Sequence, residues 1–392
     1  MTTFPKIGLI ADDFTGAMDS GAQFSYSELG VHFRFTGLPT SDVEIINTAS
    51  REIPEIQAVA RAQAACHSFA GRSLFKKIDS TLRGHVGAEI EGVLSASTYR
   101  KAVICPAAPL QGRAVRNGVL YVNGLPLEQT AFKDDPVYPA KTSRIAELVG
   151  KPASHLSLDF VRGSQNELVD AISRADHALL TADAETSDDL SVLAHAILDA
   201  QALPCGAFGL AKAYLLALNV PSVEHPAFKV DGRVLVIVGS ANQTARQQVE
   251  RLETFPDCLV LKLDASSSPK EIKSTLATLP SDKRILVLYG NQNKTIRTPE
   301  WLRFGQTVSE VALSLLEIFQ PQTILAVGGE TVTYFCQQAQ ARSIRVLGEA
   351  APGIPFGRIQ GGLLNQRLLV TKAGGFGNPD TLVNIIYSAE KK

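Results

Sequence analysis

"GLIADDFTGA", residues 8–17, is the stretch on which the fold turns. An apolar run of Ile7, Leu9, Ile10 and Ala11 stops at two adjacent carboxylates, Asp12 and Asp13, followed by Thr15 and Gly16. A short continuous apolar run ending in a polar, glycine-bearing turn is the pattern of a buried parallel strand. The pattern recurs outward along the chain as "VEIINTA", "SLFKKI", "AVICPAA" and "HALLTAD". Between these runs lie helical stretches such as "EIQAVARAQAACHSFA" and "VGAEIEGVLSAS". Such alternation predicts an α/β fold on a mostly parallel sheet. Residues 106–138 break it. There the Asn123-Gly124 pair, set between two apolar runs in "VLYVNGLPLEQT", predicts a hairpin and hence a β insertion in the N-terminal domain.

At 392 residues the chain is too long for one ordinary core, so two domains are expected. "NVPSVEHPAFKVDGR", residues 219–233, has two prolines and no helical period, and reads as a linker. Strand runs then restart: "RVLVIVGS", "CLVLKLD", "RILVLYGN", "TILAVGGE" and "LLVTKAGG". The expected domains are residues 1–225 and 226–392, each α/β with a mostly parallel sheet. A net charge of -1 gives no basic face for nucleic acid and no membrane-seeking excess. The five cysteines are scattered, with no C-x-x-C pair, which argues against a zinc site or a disulfide framework. With no signal-peptide pattern and no spanning run, the expected location is cytoplasmic.

In open α/β sheets ligands sit beyond the carboxyl ends of strands. The first run ends in Asp12 and Asp13, the second leads to Arg51, and the third to Lys76, Lys77, Asp79, Ser80, Thr81 and Arg83. Paired carboxylates can accept hydrogen bonds from sugar hydroxyls or take a proton, while arginines clamp anions with two parallel bonds. The combination suits a small polyhydroxy acid. Each residue also has a plainer use. Asp12 and Asp13 can cap the following helix, Lys76 reads best as a solvated edge, and His85 as a hydrogen-bonded neighbour with no partner at metal-ligand spacing.

In the second domain four glycine loops follow strands: "GSANQTARQQ", "YGNQNK", "GGETVTYF" and "AGGFGNPDT". Glycine at a helix start lets phosphate approach backbone N–H groups. Ser240, Gly328, Gly329, Thr331, Gly374 and Gly375 are the candidate nucleotide contacts, with Glu330 suited to ribose hydroxyls or Mg²⁺. The P-loop, dinucleotide and protein-kinase signatures are absent.

"IADDFTGA", "KKIDSTLRG", "CPAAPLQGR", "GSAN", "GGET" and "PGIPFG…VTKAGGFG" occur in the order seen in the four-carbon acid sugar kinase family, which the chain resembles over nearly its whole length. The resemblance implies an N-terminal domain that binds the acid sugar and a C-terminal domain that binds ATP with Mg²⁺, and domain closure between them. It implies sugar contacts at Asp12, Arg51, Lys77, Asp79, Ser80, Thr81 and Arg83, with Asp12 and then Asp79 as the groups handling the reacting hydroxyl. Arg51 and Arg83 would hold the sugar carboxylate. Nucleotide contacts would fall at Ser240, Gly328, Gly329, Glu330, Thr331, Gly374 and Gly375; no metal ligands are assigned. The "KKIDSTLRG" stretch places the chain nearer the threonate and erythronate kinases than the 3-oxo-tetronate kinases. Other readings are a non-catalytic acid-sugar-binding regulatory protein and an NAD-dependent sugar-acid dehydrogenase. The expected partners are the acid sugar and ATP, with a homodimer as the candidate assembly.

Overall fold

The computed structural model describes residues 4–135, 138–224, 228–240, 242–263, 270, 272, 274, 282–290 and 299–387, the last from 305 onward with side chains. The chain divides into two compact units: residues up to 33 with 38–223, and residues 34–37 with those from 224 on. Both are built on parallel strands with helical crossovers, the α/β class expected from the alternation of runs.

The first unit contains β1 (Ile7–Ala11), β2 (Val31–Arg34), β3 (Val43–Asn47), β4 (Ser73–Lys77), β5 (Ala102–Cys105), β6 (Arg113–Arg116), β7 (Val119–Val122), β8 (Leu125–Pro126), β9 (Ala153–Leu156), β10 (Leu179–Ala182) and β11 (Leu203–Gly206). Its main sheet runs β2-β3-β1-β4-β11-β5-β10-β9, and every pairing is parallel. β1 lies in its interior with all residues buried, flanked by β3 and β4, so the chain leaves three neighbouring strands at one edge. Helix α1 (Phe14–Ser25) starts at once because Asp13 caps it, its carboxylate accepting from Gly16 N at 3.1 Å. Helices α2 (Glu55–Ser68) and α3 (Val86–Ser95) pack together.

The β insertion forms as expected: β6, β7 and β8 make a separate antiparallel sheet. Asn123 and Gly124 have φ of 50° and 81°, the left-handed pair that a tight two-residue hairpin requires. Three strands of this unit escaped the sequence pattern. β2 and β9 are short outer strands, half-buried, and carry no continuous apolar run. β11 holds Pro204 and Gly206, residues that argue against an inner strand. It is tolerated because pairing with β4 begins at Cys205, one residue after the proline that lacks an N–H.

The second unit has β12 (Val234–Val238), β13 (Cys258–Leu263), β14 (Ile285–Gly290), β15 (Thr323–Val327), β16 (Ser343–Ala351), β17 (Ile354–Gln360) and β18 (Leu368–Lys372). The five strands legible in sequence form the parallel order β13-β14-β12-β15-β18. The sheet continues into an antiparallel hairpin, β17 and β16, that the sequence pattern did not reveal. Bulges near Gly348 and Ala351 interrupt its alternation. Its core gathers the valines of β12 with Val249, Leu252, Leu325, Val370 and Ile386.

Gly8 tests how tightly β1 is set. A Cβ there would fall 2.5 Å from the ring of Phe69, which is 1% exposed. Overpacking a filled core costs about 1–3 kcal/mol. Gly8→Ala is expected to lose stability in that range by urea unfolding, and Gly8→Ala with Phe69→Leu to recover part of the loss.

Candidate functional site

The three strand ends of the first unit do converge. Arg51, beyond β3, donates from Nε to Asp12 at 2.6 Å and from Nη2 to Asp13 at 2.8 Å, and its Nη1 stands 3.6 Å from Asp79. Arg83 grips Asp79 with Nε at 2.9 Å and Nη2 at 3.0 Å, and its Nη1 reaches Asp135 at 3.3 Å. Thr81 donates its hydroxyl to the same Asp79 oxygen. Adjacent residues of a strand point to opposite faces. Instead Asp12 and Asp13 meet one guanidinium, because the chain turns directly into α1.

The local chain explains how Arg51 is aimed. Thr48 Oγ1 donates to Ala11 O at 2.9 Å, Ser50 Oγ to Glu89 at 2.9 Å, and Ser50 N to Asp12 O at 3.1 Å. Tyr138 donates its hydroxyl to Arg51 O. Gly84, at φ 92°, lies against the arginine stem, where an added Cβ would come within 3.2 Å of Arg51 Cγ. Lys76 departs from expectation. It is not a solvated edge but is 1% exposed, paired with Glu89 at 2.9 Å, because β4 is an inner strand. Lys77 is buried too, its Nζ donating to Ile78 O at 2.6 Å beside Gly16, while Ser80 is half-buried on the turn. His85 bonds Ile53 O at 2.6 Å.

Burial by itself would push the Asp12 carboxyl up; Arg51, backed by Lys76 and Lys77, outweighs it and holds Asp12 below its ordinary value. Asp79 is held well below, against its burial, by Arg83 and Arg51. Both are carboxylates at neutral pH. The second oxygen of Asp12, Oδ1, is buried and has no hydrogen-bond partner. A buried, charged, unpartnered acceptor is costly unless something fills it. Thr81, Arg83, Phe132 and Tyr138 line a cleft of about 340 Å³.

In the second unit the loops after β12, β15 and β18 interlock. Gly239 is packed so closely that an added Cβ would sit 1.9 Å from Thr331 Oγ1, and Gly374 stands in the same relation to Ser240 Oγ. Gly375 lies against Asn242, which caps the Gln243–Glu253 helix by accepting from Thr244 N at 2.9 Å. Gly328 has φ 109° and caps the Gly329–Gln338 helix, with Glu330 exposed and Thr331 buried in its first turn. Ser240, Gly328, Gly329, Thr331, Gly374 and Gly375 thus share one edge of the sheet. Residues 291–294, in the "YGNQNK" loop, and residue 241 lie outside the described residues.

Lys372 was missed. It ends β18 almost fully buried, and its Nζ donates to Ala373 O at 2.7 Å, Phe376 O at 2.8 Å and Gly374 O at 3.4 Å. Burial pulls its ammonium down to about 8. Gln248 holds the loop from the other side, donating to Phe376 O at 3.0 Å and Asn378 O at 2.8 Å. These two side chains gather the loop's carbonyls, and two of its N–H groups close the loop on itself, Phe376 N donating to Ala373 O at 3.1 Å and Asn378 N to Thr381 Oγ1 at 2.8 Å. The signal in the sequence was a strand run ending in lysine, "LLVTK", one residue before a glycine pair, as "SLFKK" ends one residue before "DST".

Residues 7–214 match a sugar-binding N-terminal domain and residues 235–382 a nucleotide-binding C-terminal domain. A sugar site and a nucleotide site carried in one chain define the class, a carbohydrate kinase. The chain is 31% identical to the D-threonate kinase of Salmonella typhimurium, over 98% of this chain and 99% of that protein. It is 28% identical to the D-erythronate kinase of Heliobacterium modesticaldum (96% and 95% covered) and 26% identical to the 3-oxo-tetronate kinase of Brucella melitensis (95% and 93%). It belongs to the four-carbon acid sugar kinase family. A crystal structure from Salmonella typhimurium LT2 shares the fold at a TM-score of 0.79 and 20% identity, covering 96% of this chain and 98% of that one. Among the described residues no helix is long and apolar enough to cross a membrane, and no group of three or more His, Cys, Asp or Glu gathers as a metal site.

Arg51→Ala leaves three carboxylates around a lost cation. Removing one partner of a buried ion pair costs about 3–5 kcal/mol, the loss expected at pH 7. Asp12 and Asp79 ionise below the ordinary 3.8 while Arg51 is present, so their stabilisation holds above that value and is lost as pH falls through the folded values. Urea unfolding across pH should show the wild-type advantage shrinking below about pH 4.

Proposed function

We propose that the chain transfers the γ-phosphate of ATP to a hydroxyl of D-threonate or D-erythronate, the terminal hydroxyl being the acceptor. The observation that carries this reading is Asp12 Oδ1, a buried acceptor held ionised at the end of β1 with nothing bonded to it. The relatives named above support the substrate class, and the D-threonate kinase at 31% identity favours threonate over a 3-oxo acid.

Phosphoryl transfer asks for positioning and charge neutralisation more than covalent help from the protein. Asp12 Oδ1 accepts a hydrogen bond from the reacting hydroxyl, orients its oxygen and receives its proton as the oxygen–phosphorus bond forms. Asp12 is a weak base, and a late proton transfer suits a loose transition state. Arg51 keeps Asp12 charged and in place. Asp79, Ser80, Thr81, Arg83 and Lys77 line the remaining sugar contacts, Asp79 being locked by Arg83 and so less free than Asp12 to move a proton.

The interlocked loops of the second unit hold the nucleotide. Gly328 N–H is spent on Lys372 O at 3.0 Å, so the N–H groups of Gly329 to Thr331, Gly374 and Gly375 are the ones that face phosphate oxygens, and Ser240 adds a hydroxyl. Exposed Glu330, the carboxylate on that first turn, would hold a magnesium ion brought with the nucleotide, which would supply neutralisation of phosphate charge.

Asp12→Asn retains shape and loses the acceptor charge. General-base assistance is worth roughly 10²–10⁴-fold, so kcat is expected to fall in that range with nucleotide affinity little changed, while the melting temperature falls with the lost charge opposite Arg51. Asp13→Asn keeps its cap, since Asn caps about as well as Asp, and is expected to cost much less. Activity of Asp12→Asn equal to wild type, measured with saturating threonate and erythronate, would refute the role of Asp12. For Lys372, three carbonyls need three protons, and a neutral amine has two. ATP affinity is therefore expected to weaken as pH rises through about 8, where the ammonium deprotonates. Calorimetry across pH 7 to 9.5 should show that step in wild type and not in Lys372→Met, which binds weakly throughout.

A further inference from the structure

We propose that Arg113, on the β insertion, is the anchor for the substrate's carboxylate. The inference rests on the acid-sugar reading of the site and changes which residue recognises the acid.

The strand-end arginines are already engaged. Arg51 spends its donors on Asp12 and Asp13 and faces Asp79; Arg83 spends its donors on Asp79 and Asp135. Two guanidinium charges thus stand against four carboxylates. Lys76 is taken by Glu89. Lys77 sits beside Gly16 and acts on Asp12, at the reacting end of the site. A substrate carboxylate brought to this cluster meets excess negative charge, which disfavours an anion. It needs a cation that no aspartate has claimed.

Arg113 is such a cation. Its Nη1 donates to Gln111 O, and its Nε is buried with no hydrogen-bond partner. It is bridged to Ala108, which follows the end of β5, and β5 lies two strands from β4 in the parallel sheet, so Arg113 stands at the sheet edge that carries Asp79; Asp79 and Arg83 are its charged neighbours. Burial weakens its hold on its proton, a cost that a bound carboxylate offsets by accepting from a guanidinium edge.

The insertion is built to hold this residue. Ala108 and Arg113 exchange backbone hydrogen bonds at 2.9 and 3.1 Å, closing the Pro109–Gln111 turn. Gly112, at φ 71°, admits Asn123: an added Cβ would fall 2.0 Å from Asn123 Oδ1, and Asn123 N donates to Gly112 O at 2.7 Å. The hairpin turn at Asn123-Gly124 therefore braces the residue next to Arg113. The "QGR" and "VNG" stretches, far apart in role by sequence, act as one device.

The test compares D-threonate with D-threitol, which has a hydroxymethyl group where the acid has its carboxylate. Wild type is expected to prefer threonate strongly in kcat/KM. A charged hydrogen bond lost from a buried site reduces affinity roughly 10- to 150-fold. Arg113→Ala is expected to raise the threonate KM by that factor, leave turnover of threitol unchanged, and so lose the preference. Arg113→Lys, which keeps the charge, recovers part of it. ATP affinity by calorimetry should match wild type in both variants, and the retained turnover of threitol shows that the first unit, which carries Arg113, is folded. A threonate preference retained in Arg113→Ala and Arg113→Lys overturns the proposal while leaving the kinase reading intact. Wild type that phosphorylates neither threonate nor erythronate overturns that reading, and this inference with it.

Discussion

One guanidinium, that of Arg51, makes the N-terminal site feasible. Three parallel strands that end side by side bring Asp12, Asp13 and Asp79 together, and three carboxylates at such range repel one another unless a cation sits among them. Arg51 touches all three. Its position is not left to a flexible loop. Two hydroxyls of the preceding turn, Thr48 and Ser50, bond to the end of β1 and to α3, and Tyr138 bonds its carbonyl. The result is an aspartate that is charged, buried and half unused. A rigid, pre-charged acceptor needs no reorganisation when a hydroxyl arrives.

The second unit meets the opposite demand. In the proposed reading its ligand is a polyphosphate, which brings its own negative charge and would be met by backbone N–H groups rather than by a cluster of side-chain charges. That requires loops close enough to touch, which is why Gly239 and Gly374 stand where no Cβ fits against Thr331 and Ser240. It also requires the loop carbonyls to face away. Lys372 and Gln248 do this from below, each gathering carbonyls of the loop after β18. The lysine has no carboxylate partner in this set of bonds, so burial lowers its proton affinity and ties the loop's geometry to pH.

Much of this was legible beforehand because parallel strands are continuous apolar runs whose last residues point at the ligand. The runs at Ile7, Val43 and Ser73 were read with their polar tails, and those tails come together at one edge of the sheet. The Asn123-Gly124 hairpin was read from turn chemistry alone, and it forms. What escaped were strands without the run, such as β11 with its proline and the bulged β16–β17 hairpin, since local pattern carries no record of a neighbour that supplies the pairing. Lys76 was misread for the same reason. A lysine looks solvated until the sheet order makes its strand an inner one and Glu89 arrives from α3 to neutralise it.

The sequence by itself determined the α/β class, the polar strand ends of the first half and the glycine loops of the second half, because periodicity, turn residues and glycine act over a few residues. Only the tertiary structure decided which charge meets which. Arg51 and Arg83 read alike as free clamps for an anion, yet the fold brings four aspartates to them and leaves Arg113, on an inserted hairpin, with its Nε unused. Pairing depends on distance in space and on burial, which removes the water that would otherwise screen each charge. Neither quantity is written in the order of the residues.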